Sequence, residues 1–369
     1  METELLARKL NDFRARHRRS EQTFGIGITR QCHVACRHCI NDSLPNRREA
    51  LTAEDVRKVC LELVEAGLFD TINITGGEPF EVFPLLCESV EIISGLGFRA
   101  TVVSSAHWAV SDEAAEALVA PLAAGGLSAL IISRDEFHEP RVPAHYVGAA
   151  LRAGSRHGLT LALNLTTGPF TKGREELLAP IRACIDEETF ERVRINEAEL
   201  LAAGRATRLP DMIEGHRKAP ETTAERHALI CNVSGPVLLE DGEFTVCCGA
   251  TLPASSPLRR GKCSTVNAAT MVAGVRTDPL VRMIRYLGLQ RMADLCPEQD
   301  ADTDYVRGAQ AENLCTACIR LLRKPARVAA LRVAAERPEV MREMGVIASV
   351  FYDDPTLLAE AEALMGESD

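Results

Sequence analysis

Between residues 23 and 200 the chain alternates six times between short β-rich runs and helical stretches, and that alternation restricts the fold more than any other feature. The β-rich runs are TFGIGIT (23–29), DTINIT (70–75), FRATVVS (98–104), LSALIIS (127–133), LTLALNL (159–165) and FERVRINE (190–197). Helical stretches lie between them at roughly 52–67, 81–95, 112–124, 143–157 and 174–186. The first opens on Thr52-x-x-Asp55, where two side chains can cap exposed backbone N–H groups, and closes at Gly67. Strand, helix and strand in succession make a right-handed crossover and therefore a parallel sheet. Eight such units would close a barrel; six predict an α/β fold of the open, partial (βα)6 barrel kind. Ligands of such sheets sit at the carboxyl ends of the strands, so chemistry is expected in the loops that follow them.

The rest of the chain reads differently. Residues 1–22 predict a basic amphipathic helix, and 203–226, charged and without a clear period, predict a connector after a barrel spanning 23–202. In PVLLEDGEFTVCC two short β runs flank Asp241-Gly242, a hairpin signal within a region running from 227 to 322. Residues 323–369 predict helices. A formal net charge of −10 argues against a nucleic-acid surface, which needs a basic footprint. No apolar run reaches the length of a membrane span, and the N-terminus lacks the apolar core of a secretory signal, so a cytoplasmic location is expected.

Thirteen cysteines are many for a cytosolic protein, where disulfides are disfavoured and metal binding or catalysis is the first reading. Cys32, Cys36 and Cys39 cluster directly after the first predicted strand. Seven more crowd the last third: Cys231, Cys247, Cys248, Cys263, Cys296, Cys315 and Cys318. Two metal sites are the simplest explanation. Close spacing lets one loop wrap three corners of an iron–sulfur cubane and leaves one iron open. Zinc would want a fourth ligand, which His33 or His38 could supply. Cys60, Cys87 and Cys184 lie in apolar helical contexts and read as buried thiols.

CHVACRHC resembles the Cx3Cx2C signature of the radical S-adenosylmethionine (radical SAM) superfamily, with His38 in place of the aromatic residue common before the third cysteine. Gly76-Gly77-Glu78-Pro79, at the end of the second run, is similar to that family's methionine-binding motif. Glycines there let backbone approach a ligand, and a carboxylate or carbonyl can accept from its ammonium. The resemblance further implies cofactor contacts from Ser104 and Asn164, and from Ser133 and Arg141 in a Ser133-x-Asp135…His138-Glu139…Arg141 pattern similar to peptide-modifying members. The bare residues also allow a solvated loop network there and a satisfied polar side chain at Asn164.

Cys231-x10-Gly242-x4-Cys247, met downstream by Cys315-x2-Cys318, resembles the SPASM/Twitch extension. With no cysteine after Cys318, one auxiliary [4Fe–4S] cluster on Cys231, Cys247, Cys315 and Cys318 is implied, beside a first [4Fe–4S] cluster that binds S-adenosylmethionine. Cys248, Cys263 and Cys296 stand as substitute ligands. A zinc-bearing scaffold is the reading outside the family. Within it, the chemistry implied is hydrogen abstraction and net oxidation of a ribosomally made peptide, or dehydrogenation of a small aminoglycoside-type precursor. Such an enzyme draws on a low-potential donor such as flavodoxin or ferredoxin, and peptide recognition would fall to a separate peptide-recognition protein or to another surface. Asp135, His138 and Glu197 are base candidates by position only.

Overall fold

The computed structural model describes residues 10–11, 13–15, 21–168, 171–200, 203–209, 231, 235–247, 252–307 and 314–366. The six β-rich runs become β1 (Thr23–Thr29), β2 (Thr71–Gly76), β3 (Arg99–Ser104), β4 (Leu127–Arg134), β5 (Thr160–Thr167) and β6 (Val193–Glu199). All pair in parallel, each with its sequence neighbour. Between them lie α1 (Ala53–Ala66), α2 (Phe83–Gly95), α3 (Asp112–Ala124), α4 (Ala144–Arg156), α5 (Arg174–Arg182) and α6 (Glu187–Glu191). The expected cap on α1 forms: Thr52 Oγ1 accepts from the Asp55 N–H at 3.1 Å, and Asp55 Oδ2 accepts from the Thr52 N–H at 2.9 Å. Gly67 then stops the helix with φ of 62°. The sixth strand starts at Val193 and not at 190, because Asp186 caps the Thr189 N–H and winds α6 first.

Strand alternation sorts the sheet into two faces. Ile72, Ile74, Val102, Leu130, Ile132 and Leu163 are fully buried on one of them. The registers Asn73↔Thr101↔Ala129 and Ser133↔Asn164↔Asn196 place small and polar residues on the other. Thr101 Oγ1 donates to Asn73 Oδ1 at 2.9 Å, and Asn196 Nδ2 donates to Asn164 Oδ1 at 2.9 Å. The polar face is the one that can take a ligand.

The hairpin forms where Asp241-Gly242 predicts it, with Gly242 at φ of 80°. Its strands β7 (Val237–Leu238) and β8 (Glu243–Thr245) are joined by β9 (Arg259–Lys262). Unforeseen was their place. β7 pairs in parallel with β1, Gly25↔Val237 and Ile26↔Leu238, so a single nine-stranded sheet runs β6-β5-β4-β3-β2-β1-β7-β8-β9. Phe244 meets Phe24 edge to face at 6.4 Å between ring centroids, which carries the barrel core into the hairpin.

Eight α-helices follow among the described residues: α7 (Ala268–Thr277), α8 (Pro279–Tyr286), α9 (Gly288–Asp294), α10 (Ala301–Arg307), α11 (Leu314–Leu322), α12 (Pro325–Ala335), α13 (Pro338–Ile347) and α14 (Thr356–Gly366). Asp278 ties them to the hairpin. It caps the Leu280 N–H at 2.8 Å and pairs with Arg332 of α12 at 2.9 Å and Arg260 of β9 at 2.7 Å. No described helix is long and apolar enough to cross a membrane.

Residues 203–226 are the expected connector. Its described part, 203–209, is a 3-10 turn (Gly204–Arg208) with Ala206 and Leu209 buried. Ala203, Ala206 and Leu209 are buried at every third residue, the spacing of a 3-10 turn and not of an α-helix, and Arg205 between them bonds to backbone carbonyls. Residues 210–226 lie outside the described residues, as do most of 1–20, where the N-terminal helix is expected.

Candidate active site and the two cysteine clusters

β1 ends at Thr29 and the chain turns at once into the loop bearing Cys32, Cys36 and Cys39. Cys32 and Cys36 are buried and Cys39 half-buried. Backbone bonds shape the loop: Cys32 N–H donates to the Leu44 carbonyl at 3.3 Å and Cys39 N–H to the Cys36 carbonyl at 3.2 Å. Burial, reinforced by the Glu78 charge, pushes the Cys32 thiol up to about 12. A thiolate at that position needs a compensating cation, which suits a metal ligand.

The Gly76–Pro79 loop crosses this segment at very close range. A Cβ on Gly76 would stand 2.3 Å from the Thr29 carbonyl oxygen, and one on Gly77 2.2 Å from that of Gln31. Gly77 N–H donates to Thr29 at 2.6 Å and Glu78 N–H to Gln31 at 2.8 Å. Glycine is therefore required here by the cysteine segment itself. Asn41, two residues past the triad, donates to the Gly76 carbonyl at 2.8 Å.

Glu78 points inward. Its carboxylate accepts from Ser104 Oγ at 2.8 Å, Ser105 N–H at 2.8 Å, Ser105 Oγ at 2.5 Å and Phe80 N–H at 3.3 Å. Burial alone would raise its pKa, yet His107 at 3.7 Å and the Ser105 donors outweigh it and hold the group below its ordinary range. Sequence reasoning offers this carboxylate as an acceptor for a ligand ammonium; in the structure it locks β2 to the loop after β3. Ser104, expected toward the cofactor, is buried and also accepts from Trp108 Nε1 at 2.8 Å. Ser105 and His107 were missed, although Ser104-Ser105-x-His107 offered the signal. Pro79 is buried at the start of a short turn, and Trp108 stacks on Phe80 at 3.9 Å.

The loop after β4 closes on the triad from the other side. Asp135 is buried and accepts from the Phe137 and His138 N–H groups at 2.9 and 3.0 Å. It also meets His138 Nδ1 at 2.9 Å and His38 Nε2 at 3.2 Å. Burial opposes its charge, but the histidines win and hold the carboxyl well below the usual range. So engaged, Asp135 and His138 make poor free bases. His38, before the third cysteine, stacks on Phe137 at 4.7 Å. Ser133 and Asn164 share the polar face. Arg141 is exposed on its turn, and exposed Glu197 accepts from Thr167 Oγ1 at 2.8 Å.

Cys231, Cys247, Cys315 and Cys318 line one cavity of about 70 Å³, walled by apolar residues including Val246, Leu258, Ile284 and Leu289. Burial, then the Cys247 and Cys231 charges, pushes Cys315 up to about 12 and Cys318 well above the ordinary thiol value. Four thiols whose ionised forms are disfavoured by an apolar pocket and by one another again suit a cationic occupant. Cys263 is buried against α1 instead, its carbonyl accepting from Lys58 Nζ, and Cys296 Sγ donates to the Met292 carbonyl at 3.3 Å. Neither lines the cavity; Cys248 lies outside the described residues.

The sequence profile of the Radical SAM superfamily matches residues 26–155. YydG of Bacillus subtilis (strain 168), named for peptide biosynthesis, is 26% identical over 145 residues, which are 39% of this chain and 46% of YydG. The chain thus spans less than half of that relative. An S-adenosylmethionine-dependent nucleotide dehydratase of a Thermoplasmatales archaeon (strain ISO4-H5) is 27% identical over 236 residues, 62% of this chain and 79% of that one. Among solved structures, Streptococcus suis SuiB bound to S-adenosylmethionine superposes with a TM-score of 0.50 at 15% identity, covering 79% of this chain and 76% of SuiB, a likeness of fold. Residues 26–155, well under half of the chain, therefore resemble a radical SAM domain, a kind of domain that implies S-adenosylmethionine and a [4Fe–4S] cluster.

Proposed function

We propose that this enzyme carries out a net two-electron oxidation of a ribosomally made peptide, using a SAM-binding cluster on Cys32, Cys36 and Cys39 and an auxiliary [4Fe–4S] cluster on Cys231, Cys247, Cys315 and Cys318. The observation that carries it is the convergence of four thiols from three separate stretches on one apolar cavity, beside a barrel whose first loop bears the triad. When bound, the reduced first cluster and S-adenosylmethionine supply a 5′-deoxyadenosyl radical able to abstract hydrogen from an unactivated C–H bond.

The chain's own residues hold and shield that chemistry. The Gly76–Gly77 backbone, fixed by Asn41 and by the Thr29 and Gln31 carbonyls, holds the end of β2 against the triad loop, where the cofactor's methionine end would lie. Ser133 and Asn164 face the same side of the sheet and can donate to it. His38 and Phe137 give a flat apolar surface beside the triad. A second cluster gives the substrate electron a destination, so the products are a crosslink, a thioether or a desaturation. YydG's name supports the peptide class. A low-potential flavodoxin or ferredoxin would supply the first electron, and a separate protein would present the peptide.

Anaerobic reconstitution tests the reading. About eight irons and eight sulfides per chain, the content of two cubanes, with 5′-deoxyadenosine formed under reductant, is the expected result. Zinc without sulfide would overturn it. Mass spectrometry with candidate peptides then reads a loss of two hydrogens; the same loss from an aminosugar and none from peptides would reassign the substrate class.

A further inference from the structure

The turn after β6 touches both cysteine sites. Ala203 lines the four-cysteine cavity, while the next two residues hold the loop of the first triad. Gly204 packs so tightly against that loop that a Cβ would stand 2.4 Å from the Cys39 carbonyl oxygen and 2.6 Å from that of Ile40. Its φ of 57° adds a second reason for glycine. Arg205 N–H donates to the Cys39 carbonyl at 2.9 Å. Its guanidinium donates to the Cys36 carbonyl twice, through Nε at 3.0 Å and Nη2 at 2.7 Å. Nη1 reaches the Ser43 carbonyl at 2.7 Å and Asp42 Oδ1 at 3.2 Å. The side chain is 11% exposed, so these bonds form largely out of water.

We infer that Ala203–Arg205 is a strap joining the two cysteine sites, and that Arg205 is a positioning residue that fixes the peptides of Cys36 and Cys39. This rests on the triad being a cluster site. Three ligands on one loop close around a cubane only if the peptides between them hold their orientation, and the loop's own backbone bonds leave the Cys36 carbonyl with room for the arginine fork. A planar fork satisfies one carbonyl through two N–H groups; lysine, a single flexible point donor, cannot. Because the strap also walls the second cavity, removing ligands there reaches the first site through Arg205.

The experiment uses the full chain, reconstituted anaerobically with iron and sulfide. It follows iron release from the first site to a chelator, together with the EPR signal of the reduced first cluster with and without S-adenosylmethionine. Arg205→Met is expected to speed iron release from the first site about tenfold, the low end for loss of an outer-sphere partner, and to broaden its EPR signal. Arg205→Lys is expected to restore less than half of that retention. The double variant Cys315→Ser/Cys318→Ser should speed first-site release a few-fold, and the two effects should fail to add when combined with Arg205→Met.

Wild-type release and an unchanged signal in Arg205→Met overturn the inference, and so does full retention in Arg205→Lys. Should the methionine variant not fold, the lysine variant decides alone, since wild-type retention there removes any need for the fork. Strict additivity overturns the strap. A wild-type chain that takes no iron at Cys32, Cys36 and Cys39 instead defeats the functional reading beneath it.

Discussion

The first cysteine site is carried by one short loop, whereas the second gathers Cys231, Cys247, Cys315 and Cys318 from the start of the hairpin region, from just past its second strand and from a helix far downstream. The first is local in sequence and held by backbone bonds to Leu44, Gly77 and Glu78. The second exists only once hairpin and helices have packed. A local site is defined by spacing; a distributed one is defined by tertiary structure, and its ligands are bound only as firmly as the elements that carry them.

The strongest way to break this comparison is to remove thiols from each site in turn. Cys36→Ser should bring 5′-deoxyadenosine formation down to the background without enzyme and lower iron content by about half, measured by product chromatography and iron assay. Cys315→Ser with Cys318→Ser should also lose about half the iron and stop substrate turnover. Cofactor cleavage in that variant should stay within a few-fold of wild type; if cleavage vanishes too, the sites are not separable. Next in size is Glu78→Ala, which strips the acceptor from Ser104, Ser105 and Phe80. Thermal or denaturant unfolding should report a loss of about 3 kcal/mol, with Glu78→Gln losing less.

The smallest effect sharpens the distributed half. Burial opposes the charge of Asp278, but Arg332 and Arg260 overcome it and hold the carboxyl below its ordinary 3.8. A folded-state pKa depressed in this way gives stability that is present above the unfolded value and fades as pH falls through the folded one. Asp278→Asn should therefore cost about 2 kcal/mol at pH 7, and the gap to wild type should close below about pH 4. A gap independent of pH would mean that the Leu280 cap, and not the ion pairs, carries the effect.

Much of the barrel was legible because its elements are fixed locally. Thr52 and Asp55 cap α1, β-branched runs make the strands, and Asp241-Gly242 turns the hairpin. The triad and the Gly76–Pro79 loop were legible for the same reason. What escaped was contact across the chain. Nothing in Val237–Leu238 announces a partner in Gly25–Ile26, since two residues cannot specify a register some two hundred positions away. Arg205 escaped because an arginine that donates to carbonyls leaves no pattern in sequence. Glu78 was found, but its partners Ser104, Ser105 and Phe80 were not, because whether a carboxylate faces its own scaffold depends on the loop after β3.

The pairing of β7 with β1 has a consequence for how the protein is made. β1 is an inner strand of the finished sheet, flanked by β2 and β7. On the ribosome it meets β2 early, yet one of its edges stays bare until residue 238 has been synthesised, well past the last barrel helix. An unpaired parallel edge is a site for misassociation while it lasts. The barrel half is thus a fragment that cannot finish its first strand by itself, and truncation before the hairpin would leave the triad loop hanging from an open edge.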